Sequence, residues 1–502
     1  MNILRLALCV HGARAISTLT VETTSGPVTG LINGTTPNVA QFLGIPFAEP
    51  PVGERRWLPS VAKSRDGHID ATRFGLGCPQ FQGNGSSVWA TDAPQFNTPA
   101  NTTGEDCLSV NIWAPWQHNG TEGLPVIAWI YGGAFQTGAG NIEYQNPSQW
   151  IERSQKHIVV GINYRLNIFG FPNAAGLQDD EQNLGLLDQR LGLEWIRDNI
   201  ASFGGDPARI TLWGQSAGAM SVDYYNFAYP TDPIVHGLIM DSGNALLQLG
   251  SNDEKHTNFT FVSNHFECGN LSASSEIDCM RNVSSTAIIS YLKSYSDTKA
   301  TPALSFNPIV DNRTKFANYT ARALAKDFTQ VPAIAGTTSM EGVAFAPYPN
   351  PPSAAPNITI ANTATLDLFL CPTVKTTHNR HAVSAMTFRY LYAGNFSNIA
   401  PLWWEGAYHS SELPLIFGTS GIARGESTPF ELEVSRKMQD FWLAFAEDPV
   451  DGLPKMGWEA YTPENDAVLI GYDGAVTQPI AESKVEAACD GAAGKPGASP
   501  PS

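Results

Sequence analysis

Short, nearly continuous apolar runs alternate with segments of helical periodicity along the middle of the chain. The runs are Val126 to Ile130, Ile158 to Ile162, Ile210 to Trp213, Leu238 to Met240 and Thr387 to Tyr392. Runs without polar alternation are typical of strands that are buried on both faces of a parallel sheet. After the second run, Asn183 precedes apolar residues spaced by three and four, namely Leu184, Leu187, Leu191 and Trp195. This spacing predicts an amphipathic helix with an asparagine cap, and the repetition of strand and helix predicts an α/β fold with a mostly parallel sheet covered by helices on both faces.

The chain is expected to form one large domain. It has 502 residues, of which 42% are hydrophobic, and no Pro/Ser linker or block of like charge divides its middle. Residues 244–306 become polar and helical in character, and we interpret them as an insertion over the sheet of a single domain that spans 16–488. Residues Glu431 to Ala446 predict a C-terminal helix. The stretch 489–502 is rich in Gly, Ala, Pro and Ser and is expected to be disordered.

The first fifteen residues are typical of a secretory signal. They combine Arg5, an apolar run from Ile3 to Val10 and the small-x-small ending Ala13-Arg14-Ala15. The alternative is an imperfect start site. Beyond this segment six cysteines remain, an even number that suits an oxidising compartment.

Eleven N-x-S/T sequons are candidate glycosylation sites, which favours a secreted glycoprotein. They begin at Asn33, Asn84, Asn101, Asn119, Asn258, Asn270, Asn282, Asn312, Asn318, Asn357 and Asn395. No later apolar run reaches the roughly 18 residues that a spanning helix needs, so no stable membrane anchor is expected. The formal charge of -17 argues against nucleic acid as a partner. Nothing in the sequence indicates the oligomeric state.

The segment Gly214-Gln215-Ser216-Ala217-Gly218 places a candidate nucleophile between a predicted strand and a helix-compatible stretch. A serine at such an elbow sits in a strained turn, and small neighbours let the chain fold back sharply. The alternative is an ordinary glycine-rich turn. Upstream, Tyr131-Gly132-Gly133-Ala134-Phe135 follows the strand that ends at Ile130, so its small residues can present backbone N–H groups at the same sheet edge. Here the alternative is that the two glycines merely turn the chain.

A serine nucleophile requires a base and an orienting acid. Among the six histidines beyond Ser216, His409 lies in a loop of small and polar residues, Gly406 to Leu413. Glu341 lies just past the short apolar run Val331 to Ala335. Either residue alone is more often a solvated loop side chain. The chain order Ser216, Glu341, His409 is nevertheless that of α/β-hydrolases and differs from the orders in the other serine hydrolase folds.

Several longer segments carry a family resemblance. They are Phe42 to Gly53, Glu105-Asp106-Cys107-Leu108, Asn163-Tyr164-Arg165, Asn183 to Arg190 and Phe203 to Pro207. With these segments the chain resembles the type-B carboxylesterase/lipase family, which includes cholinesterases and secreted fungal esterases and lipases, from about Gly26 to Tyr461. The resemblance implies an α/β-hydrolase fold without a metal or organic cofactor.

The resemblance also implies a role for each site residue. Ser216 would be the nucleophile, His409 the base and Glu341 the acid. The donors to the oxyanion would be the N–H groups of Gly133, Ala134 and Ala217. Two positions depart from the commonest pattern: Gln215 stands where a glutamate is frequent, which weakens the case for a cationic choline substrate, and Ala134 stands where many members have a third glycine.

Disulfide pairing is implied by the same resemblance. It pairs Cys78 with Cys107, Cys268 with Cys279, and Cys371 with Cys489, with two free thiols as the alternative for the last pair. The first bridge would close a loop over the site entrance. Since this loop is largely polar and carries two sequons, it suits a lid that opens onto an oil surface poorly.

The resulting hypothesis is a secreted serine carboxylesterase that cleaves a small-molecule ester through an acyl-enzyme. Three alternatives stay open. The first is a triacylglycerol lipase, and the second is a hydrolase or acyltransferase for an ester or lactone of secondary metabolism. The third is a non-catalytic adhesion protein of the same fold, which the intact serine, histidine and glutamate disfavour.

Overall fold

A computed structural model describes residues 18–117, 122–249, 253 and 255–489. The predicted signal segment 1–15, the sequon at Asn119 and the predicted tail beyond Cys489 lie outside the described residues.

The described chain contains fourteen strands. They are β1 Thr20–Thr23, β2 Gly26–Thr29, β3 Leu31–Asn33, β4 Thr36–Pro46, β5 Ile69–Asp70, β6 Ser109–Pro115, β7 Leu124–Ile130, β8 Ile158–Ile162, β9 Gly205–Gln215, β10 Gly237–Asp241, β11 Ala333–Thr338, β12 Thr387–Tyr392, β13 Asp466–Tyr472 and β14 Ala475–Ala481. The α-helices are α1 Ser148–Ser154, α2 Asn167–Gly170, α3 Leu184–Asn199, α4 Ala217–Ala228, α5 Thr257–His265, α6 Ala273–Arg281, α7 Ser285–Asp297, α8 Tyr319–Leu324, α9 Ile358–Ala364, α10 Cys371–His381, α11 Leu413–Phe417, α12 Pro429–Glu447 and α13 Glu482–Glu486.

One large sheet organises the molecule. Its eleven strands follow the order β14-β13-β12-β11-β10-β9-β7-β8-β6-β4-β3, and a second sheet of three strands has the order β1-β2-β5. The seven strands from β13 to β8 in that order are parallel, whereas β14 and the strands from β6 to β3 are antiparallel. Every residue of β7, β8, β10, β11 and β12 is buried, as the continuous apolar runs predict. The mostly parallel sheet is therefore confirmed.

Helix α3 begins where the sequence places it, with Asn183 at the N-cap position, but the Asn183 side chain does not cap the helix. The Asn183 side chain accepts no hydrogen bond from the first turn of the helix. It is buried and binds another segment instead: Nδ2 donates to the carbonyl oxygen of Ile309 at 2.8 Å and to Thr314 Oγ1 at 2.9 Å, while Oδ1 accepts from the Ile309 N–H at 2.9 Å. A long-range contact replaces the local cap because it satisfies both ends of a buried amide.

Helices α5, α6 and α7 lie in the polar segment 244–306 and share an apolar cluster separate from the main core. Phe259 and Met280 from this segment pack there together with Trp57 and Phe169, which come from outside it. The cluster thus needs residues from both parts of the chain. We therefore propose that the segment is an insertion within a single domain.

Three disulfides join the described cysteines. They link Cys78 to Cys107, Cys268 to Cys279, and Cys371 to Cys489. These are the pairs that the family resemblance implies. Cys371 and Cys489 are bonded to each other, in place of the alternative of two free thiols.

A buried ion pair connects the loop after β8 to α3. Arg165 Nε and Nη2 donate to the two carboxylate oxygens of Asp188 at 2.8 and 2.7 Å, and the Arg165 N–H donates to the same carboxylate at 3.0 Å. The two side chains are 3% and 0% exposed. Removal of one partner leaves the other charge buried and uncompensated, which is costly.

Asp188→Ala should therefore destabilise the fold by about 3–5 kcal/mol, measured by denaturant unfolding. The control is Glu22→Ala, which removes the Arg65–Glu22 pair whose side chains are 59% and 69% exposed and should change the unfolding free energy little. Equal losses in the two variants would show that burial does not set the strength of the Arg165 pair.

Candidate active site

Ser216 lies at the turn between β9 and α4. Its backbone has φ 57° and ψ -122°, outside the region that non-glycine residues usually adopt. The Ser216 N–H donates to the carbonyl oxygen of Asp241 at 2.9 Å, which ties the turn to β10. A Cβ atom on Gly218 would overlap the carbonyl oxygen of Ile130, so the tight turn requires glycine there. The predicted strand–serine–helix elbow is present.

Glu341 and His409 come together at the same edge of the sheet. Glu341 opens a short 3-10 turn, Glu341–Ala344, just past β11, and His409 lies in the loop before α11. His409 Nδ1 and Glu341 Oε2 are 2.5 Å apart, and Glu341 Oε1 accepts from the Thr338 N–H at 2.7 Å. Both side chains are buried. The carboxylate thus fixes the ring with Nδ1 as the donor and leaves Nε2 as the atom that can accept a proton.

The partner of His409 Nε2 in this structure is Gln215. The two Nε2 atoms are 3.1 Å apart, and Gln215 is buried at the end of β9. Among the hydrogen bonds of the described residues, none joins His409 to Ser216 Oγ. The sequence indicated only that Gln215 lacks a charge; its contact with a residue 194 positions later had no signal in the sequence.

Three backbone N–H groups near Ser216 have no hydrogen-bond acceptor among the described residues. Within the described part of the chain, the N–H groups of Gly133, Ala134 and Ala217 form no hydrogen bond. Gly133 and Ala134 have φ 104° and 54°, and both residues are exposed. A Cβ atom on Gly132 would lie 3.0 Å from Ser216 Cβ, so this turn packs directly against the serine. The arrangement offers unsatisfied donors at the position where negative charge could develop.

Aromatic rings surround the imidazole. The ring centroids of Trp89, Phe345 and Phe369 lie 6.1, 5.1 and 4.5 Å from that of His409. Trp89 belongs to the segment closed by the Cys78–Cys107 bridge, so this segment packs beside the imidazole. None of the large apolar side chains exposed at the surface comes from residues 78–107. Sequence reasoning treated this segment as polar and missed that Trp89 turns towards the site.

Two buried acids, Asp241 and Glu412, lie near the Glu341 carboxylate. Burial, and to a smaller extent the charge of Glu341, raises the pKa of Asp241 to about 7, although Trp213 Nε1 donates to its Oδ2 at 2.6 Å. Burial and the charges of Asp241 and Glu341 raise the pKa of Glu412 well above its usual range. Neither Glu412 oxygen has a hydrogen-bond partner among the described residues. A protonated Glu412 leaves Glu341 as the carboxylate that faces the imidazole.

The other five histidines beyond Ser216 lie away from the site. Two examples show their surroundings: His378 Nε2 is 2.9 Å from Glu486 Oε1, and His236 Nδ1 is 2.9 Å from the carbonyl oxygen of Ile210. The described residues contain no group of three or more His, Cys, Asp or Glu side chains arranged to hold a metal ion. None of the helices in this part of the chain combines the length and apolar character needed to cross a membrane.

The candidate glycosylation sites differ in exposure. Asn258 is only 8% exposed, and its Nδ2 donates to the carbonyl oxygen of Ser305 at 2.9 Å. A glycan there would displace packed residues of the insertion. The other nine described candidates are exposed.

The fold and the site define an ester hydrolase of the α/β-hydrolase class, and the chain belongs to the carboxylesterase family, whose model matches residues 17–366 and 351–487. Chlorogenic acid esterase of Aspergillus niger is 42% identical over 490 residues, which cover 94% of each chain. Secreted lipase 5 of Gibberella zeae is 42% identical over 505 residues, again 94% of each. Acetylcholinesterase of Bungarus fasciatus is 28% identical over 96% of this chain and 88% of its own. The protein is a carboxylic ester hydrolase with an extracellular location.

Asp241→Asn should reduce the pH dependence of stability. A carboxyl whose pKa rises from 3.8 to about 7 on folding holds a proton that the unfolded chain has already lost between those values, so stability falls as pH rises through this window. The asparagine stays neutral and can still accept from Trp213. The slope of unfolding free energy between about pH 4 and pH 7 should flatten, by at most about 1.4 kcal/mol per pH unit.

Denaturant unfolding at several pH values measures this slope. Asp198→Asn, at an exposed position on α3, is the matched control and should leave the slope as in the parent protein. A slope unchanged by Asp241→Asn would mean that Asp241 is ionised in the folded protein.

Proposed function

We propose that this protein hydrolyses soluble carboxylic esters through an acyl-enzyme on Ser216. His409 is the general base, and Glu341 holds the imidazole. The N–H groups of Gly133, Ala134 and Ala217 bind the developing oxyanion. The observation that carries this proposal is the buried Glu341–His409 pair, 2.5 Å between Oε2 and Nδ1, at the sheet edge where Ser216 leaves β9.

The reaction has two halves. Ser216 Oγ attacks the ester carbonyl carbon while His409 Nε2 takes its proton, and the carbonyl oxygen becomes an oxyanion against the three N–H groups. The protonated ring then gives its proton to the alcohol oxygen as the ester bond breaks. Water attacks the acyl-enzyme in the same way, with His409 again as base, and releases the acid and Ser216.

The surroundings favour this chemistry. Trp89 and Phe369 pack around the imidazole and limit the access of water to it, which strengthens the hydrogen bond to Glu341. The strained backbone of Ser216 is held by the Asp241 carbonyl, so its hydroxyl stays clear of the sheet. The free N–H groups need no rearrangement to receive the oxyanion, because the turn at Gly133 is fixed by its own carbonyl, which accepts from the Gln136 and Thr137 N–H groups at 2.9 and 3.1 Å.

For the substrate we propose a soluble ester with a flat aromatic group. Phe345 is 40% exposed, and its ring centroid lies 5.1 Å from that of His409 and 5.4 Å from that of Trp89, so an exposed aromatic ring lies beside the imidazole. Aromatic pairs of this kind favour another ring. A relative is named chlorogenic acid esterase, which supports an ester substrate. A lipase, as named for another relative, is the second candidate.

Ser216→Ala should abolish covalent labelling by an organophosphonate and lower kcat by roughly 10⁴-fold or more, because it removes the nucleophile. Mass spectrometry of the labelled protein should find one modified peptide, the one that contains Ser216. Ser274→Ala, an exposed serine on α6, is the control and should retain both labelling and rate. Labelling that persists in Ser216→Ala would assign the nucleophile to another residue.

The initial rate of hydrolysis should follow ordinary saturation kinetics with a soluble aromatic ester. It should not increase sharply as the substrate concentration passes the solubility limit. Interfacial binding scales with the apolar area that a protein can bury in lipid, and the Cys78–Cys107 segment exposes no large apolar side chain. Initial rates across the solubility limit test this. A sharp increase on emulsified long-chain triglyceride would favour the lipase.

A further inference from the structure

The contact of Gln215 with His409 Nε2 has a consequence for the reaction. In the neutral imidazole Nδ1–H donates to Glu341, so Nε2 carries the single lone pair that can take the Ser216 proton. The Gln215 amide N–H, 3.1 Å away, donates to that same lone pair. Ser216 and Gln215 therefore compete for one acceptor.

The Gln215 side chain is held in this place by its surroundings. It is 3% exposed, and a Cβ atom on Gly132 would lie 2.9 Å from Gln215 Oε1 and 2.8 Å from its carbonyl oxygen. The glycine turn that carries the free N–H groups thus lies directly against the carboxamide. This packing keeps the carboxamide beside the imidazole in the free enzyme, and its N–H must give up the Nε2 lone pair when Ser216 transfers its proton.

We propose that Gln215 is a positioning residue that stabilises the neutral form of His409 in the free enzyme and so extends esterase activity to lower pH. This inference rests on the proposed roles of Ser216 and His409. A donor to Nε2 favours the ring without its second proton, because the protonated ring has no lone pair there to accept. A carboxylate at the same place would have the opposite effect, since it accepts from the protonated ring.

The pH dependence of His409 depends on the charged and polar groups that lie around its ring. Glu341 faces Nδ1, and Asp241 and Glu412 lie near Glu341. Among the described residues, the other aromatic and hydrogen-bond contacts of the ring are uncharged: Trp89, Phe345, Phe369 and Gln215. Since no positive side chain is among these contacts, Gln215 is the group whose hydrogen bond opposes protonation of the ring.

The test is the pH profile of kcat/KM on a soluble ester. Gln215→Glu should move the acid limb of the profile up by about one pH unit or more, because the new carboxylate stabilises the protonated ring. Gln215→Met keeps the size but loses the N–H, and its acid limb should move in the same direction by less. At pH values above the limb, both variants should retain kcat within about tenfold of the parent enzyme.

The control is Gln82→Glu, the same change at an exposed position of the Cys78–Cys107 segment, which should leave the limb in place. A role of Gln215 in folding alone would lower the rate at every pH without moving the limb, and an unmoved limb in Gln215→Glu would overturn the proposal.

Labelling of Ser216 by an organophosphonate above the limb separates the two proposals. Normal labelling with an unmoved limb contradicts the role of Gln215 alone, whereas absence of Ser216 labelling in the parent enzyme contradicts the proposed function.

Discussion

The parallel register of β9, β10 and β11 is the constraint on which the site depends. Gln215 pairs with Asp241, and Asp241 pairs with Gly336, so β9 and β10 end at the same level and β11 runs on to Thr338. The Ser216 N–H then donates to the Asp241 carbonyl, and the Ser242 N–H to that of Gly336, both at 2.9 Å. A shift of one strand by one residue would turn every side chain to the other face and separate the serine from the glutamate.

How much of the fold and the site could be predicted depends on how far apart in the sequence the contacting residues lie. Strand β12 coincides with its predicted run, and Glu341 lies against His409 at the sheet edge where Ser216 follows β9, because local patterns and fold topology position them. Asn183 lies at the N-cap position as predicted, but its side chain does not cap the helix, since Ile309, 126 residues later, binds its amide. The contact of Gln215 with His409 likewise joins distant residues and leaves no periodic or compositional trace in the sequence.

Two fully buried acids of the site, Glu341 and Glu412, differ in their hydrogen-bond partners. Glu341 is fully buried yet has a partner for each oxygen, the imidazole for one and the Thr338 N–H for the other. Glu412 is equally buried but has no such partners, and its pKa rises well above the usual range. The two acids therefore differ in their hydrogen bonds and not in their burial, and it is the unpartnered Glu412 whose charged form burial disfavours.

The site also combines strain with rigidity. Ser216 occupies an unfavourable backbone region, which costs about 1–3 kcal/mol, and Gly133 and Ala134 beside it have positive φ. They persist because the all-buried strands beside them fix the turn. The same rigidity holds Gln215 against Gly132 and hence against the imidazole. The contact between Gln215 and the imidazole is thus part of the same rigid unit as Ser216, since the sheet edge that presents the serine also fixes the neighbouring amide.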